Sequence, residues 1–132
     1  MKDLVDVLHE FNVFYLATEA AGVPHVRPFG AVVRYDGRVW FCTHDGKKVC
    51  QQLKKNPQVE IAAVGPEANW VRVSGKVVFE DNQGAKDAMF ALKPRLKDMY
   101  ANQLEHFTVF YLKDARAALN KIDGTKIEDL MA

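Results

Sequence analysis

Residues 23–35 read as one long strand with Pro24, Pro28 and Gly30 inside it, and few sheets accept that combination. A proline cannot donate to a ladder, so it marks an edge, a bulge or a break. Gly30 permits close approach of another backbone or of a ligand. A strand broken at Arg27-Pro28-Phe29-Gly30 can bend around a barrel and leave backbone groups free to meet a flat ligand. A bulge that only bends the sheet explains the same residues on local grounds. Turns bound the strand on both sides: Ala20-Ala21-Gly22 before it and Asp36-Gly37, a type I′ hairpin signal, after it.

The remaining pattern is also mostly strand. Residues 13–19 and 38–42 flank the long strand, and 59–64, 70–80 and 107–112 follow. On 70–80, Trp70, Arg72, Ser74 and Lys76 share one face, while Val71, Val73, Val77 and Phe79 share the core face. Residues 115–122 are Ala-rich but end in Asp123-Gly124, and we read them as a final strand. The polar tail, 125–132, is expected to dock loosely. Helical spacing marks residues 2–11, 46–55 and 82–100, the last capped by Asn82 and interrupted at Pro94. The sum is a mainly β fold. Six or seven antiparallel strands form a split barrel, closed or half-closed, with helices inserted, in one domain spanning 1–132.

One turn carries chemistry. Trp40-Phe41-Cys42-Thr43-His44-Asp45-Gly46-Lys47-Lys48-Val49 reads as a strand end, a polar turn and a helix start. Asp45 suits the N-cap. Lys47 and Lys48 face the positive end of the helix dipole, which is unfavourable unless an anion sits on the free N–H groups beside them. The alternative is two solvated lysines at a frayed end. Cys42 and Cys50 lack a redox or zinc spacing and read as small buried hydrophobes. The four histidines are scattered, so no metal site is expected.

Composition excludes several classes. The net charge of +1 gives no basic footprint for nucleic acid. No apolar run is long enough for a membrane-spanning helix. The early acid in Met1-Lys2-Asp3-Leu4 argues against a signal core, so a cytoplasmic location is expected. Neither a G-x-G-x-x-G nor a P-loop motif occurs.

In order, Val13-Phe14-Tyr15-Leu16-Ala17-Thr18, Gly22-Val23-Pro24-His25-Val26-Arg27-Pro28, Val39-Trp40-Phe41-Cys42-Thr43, Lys47-Lys48-Val49, Leu53-Lys54-Lys55-Asn56-Pro57-Gln58-Val59, Trp70-Val71-Arg72-Val73-Ser74-Gly75 and Phe107-Thr108-Val109-Phe110-Tyr111-Leu112 form a pattern. It resembles the pyridoxamine 5′-phosphate oxidase-like family of flavin-binding split barrels, over roughly residues 4 to 124. The resemblance implies a homodimer with FMN at the subunit interface. It implies that Arg27 and Lys47 or Lys48 hold the phosphate, with Thr43 as a hydroxyl donor. The Arg27-Pro28-Phe29-Gly30 backbone would pass along the isoalloxazine ring, with Cys42 and Gln52 near by and Trp70 and Arg72 reaching in from the second subunit. His25, Trp40 and Tyr111 are further pocket candidates, and His25 a candidate proton donor. The family's longer members carry a basic C-terminal segment with no counterpart after Gly124, which moves the chain toward the small, general members.

The implied function is a small FMN-dependent oxidoreductase. A nicotinamide cofactor would be its reductant and a small electron-poor molecule, nitroimidazoles among the classes, its acceptor. The alternatives are a non-enzymatic FMN carrier or electron-transfer protein, and a deazaflavin- or haem-binding split barrel.

Overall fold

The computed structural model describes residues 1–132. The chain runs α1 (Leu4–Phe11), β1 (Phe14–Ala20), β2 (Val23–Phe29), β3 (Val32–Tyr35), β4 (Arg38–His44), α2 (Lys48–Lys55), β5 (Gln58–Val64), β6 (Trp70–Phe79), α3 (Gln83–Leu92), α4 (Arg95–Met99), β7 (Phe107–Asn120) and β8 (Lys126–Leu130). All eight strands join one antiparallel sheet in the order β2-β1-β5-β6-β7-β4-β3, with β8 alongside β7. The fold is the expected split barrel, with eight strands rather than six or seven.

The run 23–35 is two strands, and its break shapes the molecule. β2 pairs only with β1, at one edge of the sheet, and β3 pairs only with β4, at the other. Three residue steps join Phe29 to Val32. They span at most about 11 Å, so the two edges must come close and the sheet must curl. The edges do not pair with each other, and the barrel stays open between them. Pro24 and Pro28 sit opposite Glu19 and Tyr15 on an edge strand, where a missing N–H leaves no partner unsatisfied.

Asp36 and Gly37, at φ 51° and 74°, form the predicted hairpin turn between β3 and β4. β7 runs straight through the stretch expected as a separate final strand. Its first half pairs with β4 and its second half with β8, while β6 flanks it along its length. A bulge opposite Gly75 bends this pair, and Asp114 takes φ 53° there. A Cβ on Gly75 would lie 3.3 Å from the Ala115 Cα and the Lys113 carbonyl oxygen, so glycine is what permits the approach.

The barrel interior holds the larger core, in which Phe41 stacks on Phe110 at 5.5 Å and meets Phe14 edge-on. Truncating one such ring costs about 3–5 kcal/mol. A smaller core lies under α3, built on Val33, Trp40, Met89, Phe107 and Val109. Trp40 is fully buried there and donates Nε1–H to the Tyr35 carbonyl at 3.0 Å, so it is a packing residue and not the pocket residue expected. Tyr111 packs edge-on against it under the Arg38 guanidinium. Nor does the tail dock loosely: β8 pairs with β7, and Leu130 is buried in the barrel core. The alternation of its β7 partners, apolar inward at Ala117 and Leu119, gives β8 a ready edge. No helix is long and apolar enough to cross a membrane.

Candidate functional site

A cavity of about 270 Å³ opens where the β2–β3 crossing meets the end of β4. Arg27, Pro28, Phe29 and Gly30 form one wall and Cys42 and Thr43 the floor. Lys47 and Val49 come from the turn and first residues of α2. The wall opposite belongs to the α3–α4 junction: Lys93, Leu96, Met99 and Tyr100. Seven of the sequence candidates are thereby brought together.

The cavity is cationic. Arg27, Lys47 and Lys93 line it and no acid does. None of the three has a carboxylate within 4 Å. Arg27 is aimed by neutral partners, donating Nη1–H to the Leu16 carbonyl at 3.1 Å and Nη2–H to Gln52 Oε1 at 2.7 Å. Burial works against its charge and pulls its pKa below the ordinary guanidinium value. A partly buried cation without a counter-ion is stabilised by an incoming anion.

The start of α2 points the same way. Asp45 does not cap it, contrary to expectation. Lys47 occupies the N-cap with no side-chain hydrogen bond, and no acid lies in the first turn. The leading N–H groups of the helix are left free for an external acceptor. Asp45 is taken instead by His106, whose Nδ1–H donates to Oδ1 at 2.8 Å, while the Asp45 N–H donates to the His106 carbonyl. His44 Nδ1 accepts the Gly46 N–H at 2.9 Å, which leaves the ring proton on Nε2 to donate to Gln103 Oε1. The two imidazoles stack at 5.1 Å, and Tyr100 stacks on His44 at 5.7 Å. These contacts fix the turn that presents Lys47.

Cys42 is not an ionised nucleophile. Burial pushes its thiol up to about 12, against the opposing pull of Lys47 and Lys93. Tyr100 is likewise shifted upward, by burial first and then by Cys42 and Asp45, so its phenol keeps its proton.

Five candidates lie elsewhere. Lys47 and Lys48 are both exposed, and Lys48 is separated from Lys47 by not lining the cavity. Gln52 stands behind Arg27 and orients it. Trp70 and Arg72 face a different groove on β6, where Trp70 donates Nε1–H to the Lys121 carbonyl and Arg72 lies 4.8 Å over the indole, paired with Glu60. His25 shares the Arg27 face of β2 but does not reach the cavity. Sequence reasoning missed the Lys93–Tyr100 wall. Its one signal was the helix break at Pro94, which leaves Leu96 and Met99 on a piece too short to bury both.

Fold and cavity together define a split barrel with a cationic cleft at a strand-to-helix turn. Residues 1–123 match the family described as pyridoxamine 5′-phosphate oxidase, and the chain belongs to the pyridoxamine 5′-phosphate oxidase-like family. It is similar to the crystal structure of a NimC/NimA family protein from Clostridium acetobutylicum. The two are 33% identical over 96% of this chain and 87% of the other, with a TM-score of 0.86. A haem-binding protein from Mycobacterium smegmatis shares the fold at 20% identity over 95% of this chain and 55% of its own, with a TM-score of 0.75. An FAD-binding protein from Mesorhizobium loti shares it at 18% identity over 87% and 93%, with a TM-score of 0.58. None of the curated proteins matches the sequence.

Proposed function

We propose that this chain is an FMN-dependent oxidoreductase acting on a small molecule as a homodimer. The observation that carries the proposal is the meeting of Arg27, Lys47 and the uncapped start of α2 beside a flat wall of Pro28, Phe29 and Gly30. A ligand with a phosphate at one end and an apolar planar ring at the other suits that arrangement. Arg27 and Lys47 would hold the phosphate, the arginine through paired N–H donors that an ammonium lacks. Thr43 would add a hydroxyl. The Pro28–Gly30 backbone and Val49 would flank the ring. When bound, FMN supplies the redox chemistry, and the protein supplies binding, orientation and electrostatics. A deazaflavin would use the same phosphate contacts. A haem would need an axial ligand, and no histidine lines the cavity.

The cavity is open and small for a flavin nucleotide, at about 270 Å³ against the ~300–1,000 Å³ of small-molecule pockets, and a second chain over its mouth would enclose the ligand. An all-apolar surface formed by Tyr15, Ala62, Val64, Trp70 and Ile122 supports such pairing. Ile122 is 75% and Val64 60% exposed in the single chain. The reading as an enzyme rather than a closed FMN carrier requires that the completed site leave one face of the ring open to a substrate and a nicotinamide reductant. Two unpaired cysteines suit a reducing cytoplasm.

The test is the visible absorption spectrum of the purified protein, FMN titration of wild type and Arg27→Ala, and sedimentation at micromolar concentration. A yellow dimer whose FMN affinity collapses in the variant is expected, followed by FMN-dependent NAD(P)H oxidation with an added acceptor. A colourless protein that takes up no FMN overturns the cofactor assignment, and a monomer overturns the assembly.

A further inference from the structure

Once a phosphate monoester occupies the cavity, one cation is left over. Such a group carries about −1.5 to −2 charges at neutral pH, which Arg27 and Lys47 together balance. Lys93 is the third cation, on the opposite wall, with no carboxylate within 4 Å. Its placement follows from the sequence. Pro94 bars its predecessor from the helical region, so α3 ends at Leu92 and Lys93 takes φ −131°, ψ 83°. That turn carries the ammonium across to the β2–β3 crossing, where Nζ lies 3.9 Å from the point a Cβ on Gly30 would occupy.

The neighbours of Lys93 on that wall are Leu96, Met99 and Tyr100. Met99 is 70% exposed, an unbranched apolar side chain standing free at the mouth. A flexible thioether adapts to flat apolar partners. Tyr100 is 9% exposed and offers a phenolic O–H donor. The wall therefore holds one full positive charge, one neutral donor and an adaptable apolar surface. A single negative charge on a small planar body matches it, whereas a dianion would exceed the charge available.

Resting on the flavin reading above, we infer that Lys93 and Tyr100 recognise the substrate, and that the substrate is a small planar monocarboxylate. Lys93 binds its carboxylate, the Tyr100 hydroxyl donates to the same group, and Leu96 and Met99 cover its apolar part.

The test is calorimetric titration of the FMN-loaded protein with benzoate and with benzamide, two flat ligands of the same size that differ in charge. Wild type is expected to bind benzoate about tenfold more tightly, the worth of one charge-assisted hydrogen bond in a half-open cleft. Lys93→Met is expected to abolish the preference while lowering FMN affinity less than Lys47→Ala does. Lys93→Arg, which keeps the charge, retains the preference, and Tyr100→Phe reduces it. The inference is overturned if wild type does not prefer benzoate, or if Lys93→Met keeps the preference. It is also overturned if Lys93→Met weakens FMN as much as Lys47→Ala does, which would make Lys93 a phosphate ligand. Failure of the wild-type protein to take up FMN is read in a separate titration and overturns the functional reading together with this one.

Discussion

Gln52 Oε1 accepts from Arg27 Nη2 at 2.7 Å and from Thr18 Oγ1 at the same distance, so one amide oxygen holds the guanidinium without neutralising it. A carboxylate in that place would orient Arg27 equally well and cancel the charge an incoming anion needs. Gln52→Ala is therefore expected to weaken FMN binding about fivefold, the loss of one orienting hydrogen bond. Gln52→Glu is expected to weaken it more, although the new ion pair leaves the fold at least as stable. Flavin-fluorescence titration paired with thermal melts checks this; an ordering in which alanine is the worse variant would contradict it.

Lys47 and Lys48 are neighbours in sequence with different surroundings. Only Lys47 lines the cavity. Lys47→Ala is expected to cost about 1.5–3 kcal/mol of FMN binding, the range for a hydrogen bond to a charged group. Lys48→Ala is expected to change it little, since Lys48 does not line the cavity and acts only through screened long-range attraction. Titrations of both variants at low and physiological ionic strength separate the two roles, and equal losses would mean that the phosphate sits outside the cavity.

Much of this was legible in the chain because it rests on local chemistry. Pro24, Pro28 and Gly30 announce an edge and a crossing, Asp36-Gly37 announces a hairpin, and the lysines after Thr43 announce a helix start with no acid in its first turn. The illegible parts depend on distant partners. Asp45 looks like an N-cap until His106, sixty-one residues away, claims its carboxylate. Lys93 reads as a surface lysine because nothing local places the α3–α4 junction beside Gly30. The polar tail reads as loose because the edge that holds it, the second half of β7, was expected to end the sheet. Trp40 lies on a strand whose two faces are both covered, so alternation could not say which side was cavity.

The buried thiol of Cys42 makes stability fall at high pH. Its folded pKa, about 12, lies above the 9.0 of an unshifted thiol, because burial disfavours the thiolate. Between those values the unfolded chain releases this proton and the folded chain keeps it. Stability is unaffected below about pH 9 and is then lost as pH rises, by at most about 1.4 kcal/mol per unit from this group. Denaturant midpoints from pH 8 to 11 for wild type and Cys42→Ala measure the difference. A slope as steep in the variant as in wild type would assign the loss to other groups. Iodoacetamide is expected to label Cys42 slowly in the native protein for the same reason.

The two ends of the chain are tied through one side chain. Arg34 donates Nε–H to Asp3 Oδ2 at 2.6 Å and Nη2–H to the Met131 carbonyl at 3.1 Å, and that carbonyl also accepts the Leu4 N–H at 2.9 Å. Asp3 in turn caps α1 through Val5 N–H. Burial raises the Asp3 pKa, but the Arg34 and Val5 hydrogen bonds outweigh it and hold the carboxyl below its ordinary value. The contribution of Asp3 is thus complete above the ordinary carboxylate pKa and disappears as acid carries pH through the lower folded value. Leu130, 5% exposed, lies one residue before the shared carbonyl and fills the barrel core beside α1. Leu130→Ala is expected to cost about 2–4 kcal/mol, the range for emptying a buried leucine site. Asp3→Ala is expected to cost about 1–2 kcal/mol through the lost cap. Because Asp3 and Met131 share Arg34, the double variant is expected to lose less than the sum of the two. Urea denaturation of the three variants measures this, and strict additivity would show that β8 and α1 are held independently.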